Sequence, residues 1–186
     1  MIRLLIPAMW LAWVAYWIAA AAGTKHDRRR ESPVSRFAHL LPLGVAIILI
    51  SVPPHTGWAG ARFLPRLWAY YWLGVALTAA GLGFACWARV HLGRNWSGVV
   101  TVKQDHELVR SGPYRLVRHP IYTGLVLAFL GTAIARGDWQ ALLAVPLVIF
   151  AFLRKIRLEE QWMSEQFPRD YPHYRATVAA LIPFLI

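Results

Sequence analysis

Cysteine is almost missing from this sequence: among 186 residues there is one, Cys86, and it falls inside an apolar run. That excludes an intrachain disulfide and a cysteine-cluster zinc site. Charge is scarce, at 16% of residues, and acid is scarcest, with 9 Asp and Glu against 20 Lys and Arg. Soluble domains average about 25% charged and about 45–50% apolar residues, whereas the hydrophobic fraction here is 58%. A soluble chain of this length cannot hide so much apolar surface, so the composition implies lipid as the solvent. Internal repeats, low-complexity tracts and a Gly-x-Gly-x-x-Gly dinucleotide fingerprint are also lacking. The net charge of +11 would favour nucleic acid in a soluble protein. Here the cations stand between apolar runs with no basic face interleaved with stacking aromatics, so they read as membrane-boundary anchors, with no nucleic-acid partner.

What is present is a succession of apolar segments of bilayer-crossing length, about 20 residues at about 1.5 Å each. Leu4–Ala22 is the first. Its length, its three tryptophans and the basic block from Lys25 to Arg30 argue for a retained helix over a cleaved signal. Phe37–Val52 and Leu67–Val90 follow, the former stopped by Pro53-Pro54. Pro120–Ala135 and Trp139–Leu153 form the fourth and fifth spans. Only Arg136-Gly137-Asp138 separates them, which predicts an antiparallel helical hairpin, with Pro146 as a point where the fifth helix could kink. Gly74, Gly81 and Gly83 predict close helix packing along the third span. The expectation is an all-α polytopic membrane protein of about five transmembrane helices, forming one integral membrane unit over residues 1–186. Of its 20 Lys and Arg residues, all but Arg3, Arg62, Arg66 and Arg136 fall in segments 24–36, 88–119 and after the fifth span. The positive-inside rule then predicts an outside N-terminus and a cytoplasmic C-terminus, in the cell membrane if the source is a prokaryote.

The segment from Arg89 to Pro120 is polar and long, yet carries Trp96, Leu108, Val109, Tyr114 and Val117, which argue against disorder. It is dense in groups able to bind a ligand, among them His91, Asn95, His106, Glu107, Ser111, Tyr114 and His119. A second polar cluster, Arg154 to Glu160, follows the fifth span. The topology places both on the cytoplasmic face, where a water-soluble cofactor is available. Taken singly, these residues have plainer roles. His119 before Pro120 could cap a helix, Arg154, Lys155 and Arg157 could snorkel, and Glu159 and Glu160 could pair with them along the helix. Phe167, Tyr171 and Tyr174 could dock a tail at the interface. Those roles do not account for their co-occurrence on one face.

Gly112-Pro113-Tyr114, Val117-Arg118-His119-Pro120-Ile121-Tyr122-Thr123-Gly124 and Glu159-Glu160 resemble the signature of the isoprenylcysteine carboxyl methyltransferase family. The same region is similar to phospholipid N-methyltransferases. The resemblance covers residues 87–186, and the N-terminal helices in 1–86 carry no comparable signature. It implies a cytoplasmic pocket for S-adenosyl-L-methionine, contacted by His106, Glu107, Leu108, Val109, Tyr114, His119, Pro120, Ile121, Tyr122 and Glu160, and no metal. It further implies methyl transfer to a small lipophilic or lipid-modified substrate that enters from the bilayer. A carboxylate acceptor of that kind needs alignment and desolvation more than a base. A hydroxyl or amine acceptor needs a base, and no residue is assigned to that task. The family's acceptor-orienting arginine corresponds in position to Ile156, so Arg157, one residue later, is the expected replacement, with Arg154 one turn earlier as the alternative. Two rivals remain: a membrane-embedded NADPH-dependent reductase, with Arg89, Arg94 and Arg118 for the extra phosphate, and a non-enzymatic membrane adaptor or small transporter. Neither the acceptor nor the oligomeric state follows from the sequence.

Overall fold

The computed structural model describes residues 4–21, 27–53, 57–93, 96, 101–103, 108–183 and 185. Helices α1 (Leu5–Ala20), α2 (Pro33–Ser51), α3 (Trp68–Leu92), α4 (Pro120–Arg136) and α5 (Trp139–Gln166) precede a short α6 (Asp170–Thr177). The helical class holds, with one addition. Strands β1 (Asp27–Arg30) and β2 (Thr101–Lys103) pair as an antiparallel ribbon whose register slips between Asp27 and Arg29. Nothing in Asp-Arg-Arg-Arg alternates in polarity, so the ribbon is not legible in sequence. It joins the α1–α2 and α3–α4 connections at one end of the molecule, both of them rich in cations.

By length and composition, α2 and α3 are apolar enough to cross a membrane, while α1 and α4 are apolar but shorter. The fifth helix exceeds its expected end at Leu153 and runs on through Glu159 and Glu160 to Gln166. Residues 154–166 contain no Pro or Gly to stop it, and at 28 residues the helix is about 42 Å long. It continues through Pro146. Leu11, Ile18, Ile48 and Phe150 stay exposed on the outer faces of α1, α2 and α5, a surface that suits hydrocarbon.

The α4–α5 connection forms the expected hairpin. Gly137 adopts a left-handed conformation at φ +69° to end α4, and Asp138 caps α5 by accepting from the Ala141 amide at 2.9 Å. Arg136 grips both Asp138 oxygens, at 2.9 and 3.1 Å, and donates to the Ile50 and Val52 carbonyls of α2 at 2.7 and 2.9 Å. A cation there satisfies orphan carbonyls at the negative end of α2.

Helices α3 and α4 meet along glycines. A Cβ on Gly81 would lie 2.6 Å from the Ala128 nitrogen, and one on Gly124 would lie 2.8 Å from the Ala85 nitrogen. Gly74 and Gly131 form the same kind of approach one step along the seam. Thr78 and Thr132 sit between them, 3.3 Å apart, with Trp10 of α1 donating to Thr132 at 3.0 Å. Gly83 departs from expectation: it faces outward, with nothing within 4 Å of its would-be Cβ.

Candidate functional site

Helix α4 begins beside the polar end of α5, and local sequence sets how. Gly112, at φ +58°, packs against the His91 ring so closely that a Cβ would lie 2.7 Å from it. Pro113 then starts a short 3-10 turn over Gly112–Arg115, and Pro120 occupies the first turn of α4. His119 precedes it without making a side-chain cap. Its imidazole instead reaches the glutamate pair, with Nε2 3.2 Å from Glu160 Oε1 and Nδ1 3.5 Å from Glu159 Oε2.

The two glutamates do different work. Glu160 is buried against cations: Arg118 Nε donates to its Oε1 at 2.8 Å, and Arg175 Nε lies 3.3 Å from its Oε2. Arg118 also donates to the Arg175 and Val178 carbonyls. The C-terminal segment is thereby strapped over the start of α4, an arrangement extended by Arg118 N to Ala179 O at 2.8 Å, His119 N to Ala180 O at 3.0 Å and Thr123 Oγ1 to Leu181 O at 2.7 Å. Glu159 points the other way and accepts from the Tyr122 hydroxyl at 2.6 Å. Tyr122 stacks between His119, at 5.7 Å, and Phe152, at 4.7 Å, and the Lys155 ammonium lies 5.5 Å from its ring centre.

Burial alone would raise the Glu160 carboxyl, but hydrogen bonds from His119 and Arg118 outweigh it and hold it down at about 2. Glu159 is likewise lowered against the pull of burial, by His119, Lys155 and Tyr122. Burial opposes the His119 imidazolium, yet the two carboxylates prevail and raise it. The Tyr174 phenol is pushed up to about 12, chiefly by burial, and it donates to the Tyr114 carbonyl.

A cavity of about 1560 Å³ opens onto this cluster. His119, Tyr122, Lys155, Glu159, Trp162 and Tyr171 form its polar end. It extends along α1 and α2 past Trp10, Leu43 and Phe129. Of the residues expected from sequence, Leu108, Val109, Tyr114, His119, Pro120, Ile121 and Tyr122 lie on the wall. His106 and Glu107 lie outside the described residues. Glu160 turns from the wall toward Arg118, and its neighbour Glu159 takes the wall position. Arg157 is exposed and off the wall, because α5 presents Phe152, Lys155, Glu159, Trp162 and Met163 to the cavity. That spacing is helical, so it was the signal able to select Lys155 and Glu159. Ile156, buried at 4% exposure, lies on the neighbouring stripe of α5, one turn before Glu160.

The sequence profile of the phospholipid methyltransferase family matches residues 69–170. A probable protein-S-isoprenylcysteine O-methyltransferase of Oryza sativa subsp. indica is 30% identical over 125 residues, covering 66% of this chain and 65% of that protein. A protein-S-isoprenylcysteine O-methyltransferase of Schizosaccharomyces pombe is 34% identical over 116 residues, 57% of this chain and 49% of its own length. The fold is similar to the eukaryotic intramembrane Ras methyltransferase (isoprenylcysteine carboxyl methyltransferase), with a TM-score of 0.58 and 23% identity over 85% of this chain and 55% of that one. The chain thus spans between about half and two thirds of the length of these relatives.

Proposed function

Because the chain belongs to the phospholipid methyltransferase family, we propose that it transfers a methyl group from S-adenosyl-L-methionine to a small lipophilic acceptor inside the cavity. The observation that carries this reading is the cavity's two-part character. It joins a carboxylate-and-aromatic end to an apolar run, and its volume of about 1560 Å³ exceeds the roughly 300–1,000 Å³ of a site for one small molecule. There is room for a cofactor and an acceptor side by side.

The residues fit such a cofactor. Glu159 offers a wall carboxylate to hydroxyl or ammonium groups, and the rings of Tyr122, Tyr114 and Trp162 offer faces that attract a cation such as a sulfonium. Bound there, the cofactor supplies an electrophilic methyl carbon. The protein's part is to align, exclude water and fix charge. Tyr122 is held by its bond to Glu159 and by stacking on Phe152, so its ring is a fixed wall. Arg118 and Glu160 lock the C-terminal strap over the start of α4, which carries His119 and Tyr122. Lys155, at the polar end of the wall, is the α5 cation placed to orient an acceptor oxygen, including a carboxylate as in isoprenylcysteine esterification. Arg157 anchors the helix at the membrane boundary. Residues 87–186 supply most of the cofactor end, and helices of 1–86 supply much of the lipophilic wall.

Five spans, an outside N-terminus and a cytoplasmic C-terminus complete the reading. They are supported by the cation distribution and by the ribbon that brings two basic connections to one end. Reporter fusions after Ile186 and in the 54–65 loop should report opposite sides of the membrane. The decisive experiment is calorimetric titration of the detergent-purified protein with S-adenosyl-L-methionine, its demethylated product and NADPH. Binding of the first two supports the reading, and binding of NADPH alone replaces it with a reductase.

A further inference from the structure

His39 has no part in the site described so far, yet it is buried to 5% exposure in the second turn of α2 and lines the same cavity as Glu159 and Tyr122. Its Nε2 stands 3.7 Å from Glu31 Oε1, with the Glu31 side chain 1% exposed. A buried imidazole beside a buried carboxylate is costly to maintain as plain packing. A carboxylate 3.7 Å from Nε2 also stands where it would stabilise an imidazolium formed by protonation at that nitrogen. From α5, Lys155 and Glu159 are the other charged groups acting on this histidine. Trp10, Trp13 and Trp17 of α1 line the same cavity, and the buried indole N–H of Trp13 has no hydrogen-bond partner among the described residues. Aromatic faces and an unsatisfied donor suit an aromatic ligand bearing oxygen.

We propose that His39, supported by Glu31, is the proton acceptor for a phenolic amphiphile whose hydroxyl is the methyl acceptor. This rests on the methyltransferase reading and narrows its substrate class. A carboxylate acceptor has no proton to remove and leaves the pair without a task, whereas an aliphatic alcohol is too weak an acid for histidine. A phenol, with a pKa of about 10 like the tyrosine side chain, is within reach of an imidazole base. In the step, the phenol O–H bond breaks and its proton passes to His39 Nε2. The oxygen forms the new bond to the methyl carbon as the carbon–sulfur bond breaks, and the sulfur keeps that electron pair. Lys155 faces the negative charge that develops on the oxygen, and Glu31 faces the new imidazolium.

The test reads proton transfer directly, without cofactor or turnover. A long-chain nitrophenol, coloured only as its phenolate, is bound to the purified wild-type protein, and the absorbance is titrated with pH. The bound probe should ionise at least about one pH unit lower than the same probe in empty detergent micelles, a tenfold change in its acid constant. His39→Gln should remove more than half of that shift and Glu31→Gln should reduce it, while S-adenosyl-L-methionine affinity stays within about twofold, well under 1 kcal/mol. Should His39→Gln fail to accumulate folded, Glu31→Gln decides: a reduced shift supports the proposal and a full one overturns it. An unshifted probe in the wild type, or a full shift in folded His39→Gln, also overturns it. Loss of the methyltransferase reading would show separately, as no cofactor binding in a protein that still ionises the probe.

Discussion

Replacing Glu160 by Gln should unfold the protein more readily without emptying the cofactor site, and replacing Glu159 by Gln should do the reverse. Glu160 and Arg118 are both about 8% exposed and 2.8 Å apart. Breaking a buried pair by neutralising one partner costs about 3–5 kcal/mol. Gln keeps the shape and one acceptor oxygen, and Arg118 keeps its carbonyl partners on Arg175 and Val178. The loss should therefore fall at the low end, about 3 kcal/mol. For a chain of this size each kcal/mol lowers Tm by about 2–4 °C, so a fall of about 6–12 °C is expected. Glu159 is 25% exposed and lies on the cavity wall. Its neutralisation leaves the Tyr122 hydroxyl a partner and removes one charged hydrogen bond to a ligand, worth about 1.5–3 kcal/mol. Cofactor affinity should drop about ten- to a hundredfold. Tryptophan-fluorescence melts and calorimetric titrations of both variants in one detergent make the comparison. A Glu160→Gln protein whose Tm moves by less than about 2 °C while its affinity collapses would show that the two glutamates have been assigned the wrong way round.

Thermal stability should have a plateau in pH. The depressed carboxyls of Glu159 and Glu160 contribute fully above their unfolded value of about 4.3, and Glu160's share is lost as pH falls toward its folded value of about 2. His119, raised in the fold, contributes fully below its unfolded value of about 6.5 and loses its share as pH rises through the folded one. Melts across pH should show the alkaline decline shrink in His119→Gln. In the α3–α4 seam, Gly81→Val should cost about 1–3 kcal/mol or more through collision with Ala128. Gly83→Ala, in open space on the same helix, should be neutral or stabilising by up to about 1 kcal/mol, as chemical denaturation or melts will show. Arg157→Lys should retain methyl transfer, because the residue anchors off the cavity wall. Lys155→Met should lose at least about tenfold in kcat/KM, the equivalent of about 1.4 kcal/mol, with cofactor affinity little changed. A radiolabelled methyl-transfer assay separates the two.

By itself, the sequence determined the elements whose causes are local. Apolar runs of lipid-crossing length, proline at helix starts and stops, and the three-residue Arg136-Gly137-Asp138 turn were sufficient to predict the five long helices and the hairpin, though not α6 or the extension of α5 to Gln166. The run from Val117 to Gly124 with Glu159-Glu160 marked the neighbourhood of the candidate site. Tertiary structure decided which side of each residue mattered. Adjacent residues on a helix differ by about 100° in direction, so two neighbouring glutamates such as Glu159 and Glu160 have the same chemistry, and which of them meets a ligand depends on how packing fixes the rotation of α5. Arg118 and Arg175 claim Glu160, and Glu159 is left to the cavity. The β1–β2 ribbon, the outward turn of Gly83 and the pairing of Glu31 with His39 beside α5 likewise arise from contacts between separate elements. A pattern along one segment constrains that segment's own period. It carries no information on the partner that packing brings to its face.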